Sequence, residues 1–283
     1  GQAWFKTINA TDSEGLVQIT NKGDLTVSEG IVGLAALTTA AGAETRLISA
    51  GSNYSGDTVI ESDGLLRAEA ENALSPSSTH TVKGDLDLDG HLQTVQKLQL
   101  EGGTVGAGTL WATGGVVSKG GKIFAAIADP KGKTAPGQLT NESGTTTLWG
   151  KNTYSGATDV RGGELVAGTA FTFSAKSPTT VRTGAVLNLN QTEQLIDKVI
   201  LDGGKIANGS LESASGILSQ NGVVESLSGS TGLIAESGIT TLQGVNLYQG
   251  ATVVRGDATL KASRDNALSP ISETEVQSGA VLD

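Results

Sequence analysis

Few residue patterns in this chain could do chemistry. Arg255-Gly256-Asp257 is the first: a cation and a carboxylate two residues apart on a turn form the Arg-Gly-Asp motif that integrins read. The same positions also read as an ordinary corner between strands. They align with Glu61-Ser62-Asp63 and Arg161-Gly162-Gly163, and Gly and Asp are natural turn residues. Asp85-Leu86-Asp87-Leu88-Asp89-Gly90 imitates the opening of a calcium loop, but Gln96 stands at the twelfth position, where a bidentate Glu is required. Leu86 and Leu88 alternate with the aspartates, which predicts a strand with its carboxylates in solvent. Only two histidines, His80 and His91, are present, and there is no cysteine, so imidazole catalysis is thinly supplied and thiol chemistry is absent. No G-x-S-x-G elbow, H-E-x-x-H helix or glycine-rich phosphate loop opens a route to hydrolysis or nucleotide binding. Glu69 and Glu71 with Arg67, and Arg264 with Asp265, read as surface charges. The expectation is a non-enzyme with no cofactor and no metal. A polysaccharide-cleaving enzyme, which would need clustered acids beside a basic residue, is the alternative.

The elements that must carry these residues are dictated by glycine. Forty of the 283 residues are Gly, about 14% against the usual ~7%, while Pro numbers five. Apolar residues come in packets of four to six that alternate with polar positions and end at Gly, Asn or Ser. Gly184-Ala185-Val186-Leu187-Asn188-Leu189 and Gly222-Val223-Val224-Glu225-Ser226-Leu227 show the pattern expected of short, half-buried strands. A short helix over 65–74 is the one helical alternative. The charge balance is 19 basic against 29 acidic residues, net −10, which opposes a nucleic-acid partner because phosphate recognition needs clustered Lys and Arg.

The packets recur on a long period. Asn53-Tyr54-Ser55-Gly56-Asp57-Thr58-Val59-Ile60 aligns with Thr153-Tyr154-Ser155-Gly156-Ala157-Thr158-Asp159-Val160 and with Leu247-Tyr248-Gln249-Gly250-Ala251-Thr252-Val253-Val254. Asn72-Ala73-Leu74-Ser75-Pro76 returns as Asn266-Ala267-Leu268-Ser269-Pro270. These define repeats near 40–138, 139–232 and 233–283, the last cut short, within one continuous segment spanning 1–283 that reads as a fragment of a longer array. Short strands cornered by glycine and repeated in this way predict an all-β, right-handed parallel β-helix (a solenoid). In it, each strand pairs with its counterparts ~4.8 Å above and below, on the order of 12 turns at roughly 20–25 residues each. Thr58 and Ile60, Thr158 and Val160, and Thr252 and Val254 should then be interior. The tyrosines, recurring at one position, should pack a corner.

Asn152-Thr153-Tyr154-Ser155-Gly156-Ala157-Thr158 with Gly163-Glu164-Leu165 resembles the passenger-associated repeat of Gram-negative autotransporters. So does the succession from Ser78-Thr79-His80-Thr81-Val82 through Leu86-Asp87-Leu88-Asp89-Gly90 to Gln93-Thr94-Val95. The similarity runs over most of 40–283; the third copy departs from it at Gln249. The resemblance implies a passenger at the bacterial cell surface or secreted from it, exported through an outer-membrane β-barrel outside this segment. It also implies an adhesin, a self-association factor or a stalk displaying a distal head. The partners implied are host extracellular matrix, a cell-surface glycan or protein, or another copy on a neighbouring cell, with no nucleic acid.

Overall fold

The computed structural model describes residues 2–132 and 136–283. They fall into two compact units, residues 1–139 and 140–283. Both are β-solenoids. Every paired strand runs parallel to its neighbour and no α-helix occurs among the described residues.

In the first unit one sheet climbs through Gln2–Ala10, Asp24–Gly33, Glu44–Leu47, Leu65–Ala68, Asp85–Asp87, Thr104–Val105 and Gly121–Ile123. A second climbs through Val17–Asn21, Ala35–Thr39, Thr58–Ile60, Thr79–Val82, Lys97–Leu100 and Val116–Ser118. A third, smaller sheet of Leu92–Val95, Thr109–Ala112 and Ala126–Ile127 closes the other side. The second unit repeats the first two sheets, from Thr145–Leu148 to Val281–Leu282 and from Thr158–Val160 to Thr274–Val276. Its third side is made by long strands that bend round the corner. Val186–Ile196 changes register between Asn188 and Thr192, with Asn190 and Gln191 in the left-handed region at φ 50° and 59°. Asparagine's short amide tolerates that conformation, so the Asn-Leu-Asn packet bends where a β-branched run would stay straight.

The winding is tighter than the spacing of the repeats suggests. Thr58 pairs with His80, 22 residues on, but His80 pairs with Leu98 after 18 and Ile217 with Leu233 after 16. Short rungs fit extra turns into the chain: the main ladder of the first sheet has seven strands in the first unit and eight in the second, with Asn53–Tyr54 paired beside it on Asp24–Gly33. The short helix considered for 65–74 does not form. Leu66 and Ala68 are buried from the strand Leu65–Ala68, where period-two alternation places both on the interior face and the parallel neighbours supply the backbone hydrogen bonds.

Inside, equivalent side chains stack in ladders. Leu165, Leu187, Ile206 and Val224 occupy successive rungs, as do Val160, Val181 and Leu201, all with no exposed surface. Each such side chain contributes about 1.5–3 kcal/mol by leaving water. The predicted interior pairs Thr58/Ile60, Thr158/Val160 and Thr252/Val254 are all buried.

Candidate functional site

The matched positions of the repeats are turned inward. Tyr54, Tyr154 and Tyr248 are buried to within 1%. Each phenol shares a hydrogen bond with the Thr four residues on: Tyr54 Oη to Thr58 Oγ1 at 2.6 Å, Tyr154 to Thr158 at 2.6 Å and Tyr248 to Thr252 at 2.7 Å. Each Thr hydroxyl then meets a Ser hydroxyl of the next turn: Ser78 at 2.9 Å, Ser177 at 2.8 Å and Ser272 at 2.9 Å. Three residues before that Ser, a second one (Ser75, Ser174, Ser269) donates to the carbonyl of the same Tyr, at 2.6 Å in all three copies. Burial pushes the Tyr54 and Tyr154 phenols up to about 12, against the smaller downward pull of these hydroxyls, and raises Tyr248 as well. The phenols therefore stay neutral, each bonded to the Thr of its own turn, and the Thr–Ser bonds carry the chain of hydroxyls to the next turn.

Two other inward polar residues do the same work at the neighbouring corner. Gln93 donates to the Ala70 carbonyl at 2.6 Å and accepts from the Leu74 amide at 3.0 Å. Gln194 donates to Thr169 O at 2.7 Å and accepts from the Thr172 and Phe173 amides. Asn152 and Asn246 span from their own loop to the carbonyls of Thr172 and Ala267 one turn on. Backbone groups at a bend cannot all join a ladder, and an unpaired buried one costs about 1–3 kcal/mol, so a side-chain amide at each bend closes the account. The hydroxyl and amide chains were not evident from any one motif. Their signal was present in the recurrence of Ser at a fixed three-residue spacing after Leu or Phe, and of Gln at Gln93 and Gln194.

The Arg255-Gly256-Asp257 tripeptide lies in the turn between the strands Thr252–Val254 and Thr259–Ala262. The Ala258 amide closes it onto the Arg255 carbonyl at 3.3 Å. Gly256 has φ +68°, and a Cβ there would come within 2.6 Å of the Glu236 carbonyl oxygen, so this position admits only glycine. In the other copies the left-handed residue comes one place later, at Asp63 (φ 65°) and Gly163 (φ 62°). Asp257 is exposed and makes no ion pair among the described residues. Arg255 is held: its Nη2 donates to Glu236 Oε1 at 2.6 Å, with the side chain 42% exposed. That hydrogen bond also keeps the Glu236 carboxyl below its ordinary range.

Charges elsewhere form short exterior networks. Arg46 grips Glu69 with two bonds of 2.7 and 2.9 Å, and Arg67 lies between Asp87 at 3.0 Å and Glu44 at 3.4 Å. In the second unit Asp159 accepts from Arg182 and Arg161, both at 2.7 Å. Partial burial would raise Asp159, but the two arginines outweigh it and hold the carboxyl below its ordinary value. Of the aspartates in the calcium-like run, Asp85 is exposed, and Asp87 pairs with Arg67 and caps the Asp89 amide at 2.9 Å. Leu86 and Leu88 are fully buried between them. Among the described residues no three His, Asp or Glu side chains gather as a metal site.

A polypeptide whose recurrent polar residues face inward, each bonded to the adjacent turn, belongs to the class of parallel β-solenoids built from a repeated corner. The passenger-associated-transport-repeat family matches residues 141–167 and 235–261. Each match covers one Tyr–Thr corner with its flanking strands, Tyr154–Thr158 and Tyr248–Thr252, so the chain carries two copies of the repeat of the autotransporter passengers it resembles. Such repeats imply a cell-surface or secreted location and fit a structural stalk. No curated protein and no solved structure is matched by the chain.

Proposed function

We propose that this chain is a non-catalytic segment of an autotransporter passenger, a stalk whose exterior serves adhesion or self-association between cells. The observation that carries this reading is where the repeats place their polar side chains. Tyr, Thr, Ser, Asn and Gln of the repeated motifs are buried and hydrogen-bonded within and between turns, which leaves the outward positions free to vary from rung to rung. A stiff scaffold with independent outer residues suits many weak contacts summed along its length. The outer-membrane barrel that would export it, and the host matrix, glycan or sister chain that would receive it, belong to this proposal.

The test is direct. Purified chain laid on immobilised matrix proteins, on glycans and on itself should give a saturable signal on at least one of them. Binding to none would leave a stalk without adhesive function. For the Arg-Gly-Asp turn, integrin reading requires the arginine to leave Glu236. Glu236→Gln should then strengthen cell attachment and Asp257→Ala abolish it, whereas attachment indifferent to both removes integrins from the proposal.

A further inference from the structure

The outward rows of the two sheets differ in kind. In the first sheet of the second unit the outer row reads Glu164, Val186, Lys205, Val223, Thr241, Lys261 from rung to rung. The second sheet of the first unit is similarly mixed: Thr38, Val59, Thr81, Gln99, Val117. The second sheet of the second unit breaks the rule. Between Thr180 and Glu275 its outer row is Ile200, Leu218, Ile234, Val253, four aliphatic side chains in register on consecutive rungs. All four are half-buried, not covered.

Beside this row runs a groove of about 480 Å³. Leu218, Ile234 and Val253 of the row line it together with the small residues Ala214, Gly216, Gly232, Gly250 and Ala251. At Gly250 the backbone excludes a side chain, since a Cβ there would press on the Thr231 carbonyl carbon at 2.6 Å. Ala214 and Ala251 are both exposed. The charged side chains lining it are two cations, Lys198 and Arg255, in a chain of net charge −10. Arg255 is committed to Glu236; Lys198 also acts on that carboxyl through its charge but makes no ion pair within 4.0 Å among the described residues.

These features define an occupant. The lining holds no aromatic face for a sugar or a base to stack on. One row of side chains is far narrower than the roughly 800 Å² per partner of a stable protein interface. From the rung of Lys198 to that of Val253 the groove spans three rung spacings, about 14 Å at ~4.8 Å each, the length of an extended alkyl chain of roughly a dozen carbons. We propose that the groove binds a single free aliphatic anion, a fatty-acid-type chain lying along the row with its head group at Lys198.

Dodecanoate is the probe. Titrated below its micellar concentration, it should bind saturably at one equivalent per chain and shift the methyl resonances of Leu218, Ile234 and Val253. Ala251→Phe fills the groove from an exposed position and should weaken binding at least about tenfold; Lys198→Glu should weaken it by a similar factor while leaving circular dichroism unchanged. Dodecyltrimethylammonium, with the same tail and the opposite charge, should bind more weakly than dodecanoate. Vesicles of phosphatidylcholine with phosphatidylglycerol should not sediment the protein. Absence of dodecanoate binding, binding untouched by Ala251→Phe, an equal or stronger response to the cationic detergent, or co-sedimentation with vesicles would each overturn the proposal. So would a dimer that Ala251→Phe dissolves.

Discussion

His80 sits in an interior ladder between Thr58 and Leu98, with no exposed surface. Its Nδ1 lies 3.1 Å from the Ser78 carbonyl, which can only accept, so the proton is on Nδ1. Nε2 then has a lone pair and no partner. Burial lowers the imidazole from 6.5 to about 4, against a smaller upward pull from the Ser78 carbonyl. The folded state thus refuses a proton that the unfolded state accepts between pH 6.5 and 4. Stability contributed by the neutral ring is fully present above pH 6.5 and is lost as pH falls through that window. At ~1.36 kcal/mol per pH unit this sets a ceiling of about 3 kcal/mol, most of which is lost between pH 7 and 4.5. His80→Leu keeps the volume and removes the titration. Urea unfolding of both proteins at several pH values should show the difference in their unfolding free energies moving by about 2 kcal/mol in favour of the variant between pH 7 and 4.5. Carboxylates common to both cancel. A difference that stays flat with pH, or an imidazole resonance in the native protein that titrates near 6.5, would refute the account of burial.

Other outcomes follow from the same contacts. Thr158→Val strands the Tyr154 phenol in the core and should cost about 1–3 kcal/mol by urea unfolding, while Tyr154→Phe with Thr158→Val should cost less than the single change, because Ser177 keeps its 2.7 Å bond to Gly156. Phe171 holds φ 53° at a corner where the other copies have Asn72 (φ 53°) and Asn266 (φ 59°), and its ring is 52% exposed. Phe171→Asn should therefore stabilise the chain by about 1 kcal/mol, read as a raised thermal midpoint. Arg182→Ala should cost under about 1 kcal/mol in dilute buffer and less in 1 M salt, since this pair is half in solvent and screened.

How much of this was legible beforehand depended on whether the determinant was local. The alternation Val-Leu-Asn-Leu, glycine at the corners and the Tyr-x-Gly-x-Thr recurrence specify strand, turn and inward face within a few residues. The parallel solenoid and the interior sites of Thr58, Thr158 and Thr252 could therefore be read directly. The helix considered over 65–74 failed because three apolar residues at helical spacing also satisfy a strand whose neighbours on both sides supply its hydrogen bonds. For the Arg-Gly-Asp turn, sequence showed a corner but not that Glu236, 19 residues earlier, reaches the guanidinium.

Local pattern determined which way each side chain points; only the winding decided what lies above and below it. Rungs of 22, 18 and 16 residues shift which positions come into register, and no motif prints those lengths. Thus Ile200, Leu218, Ile234 and Val253 are scattered along the chain yet form one continuous row, and His80 is an unremarkable strand residue until Thr58 and Leu98 close over it. The physical reason is that a period of two fixes the face of a strand, whereas its neighbours are fixed by the length of the loops between strands, which the chain settles only when its turns stack.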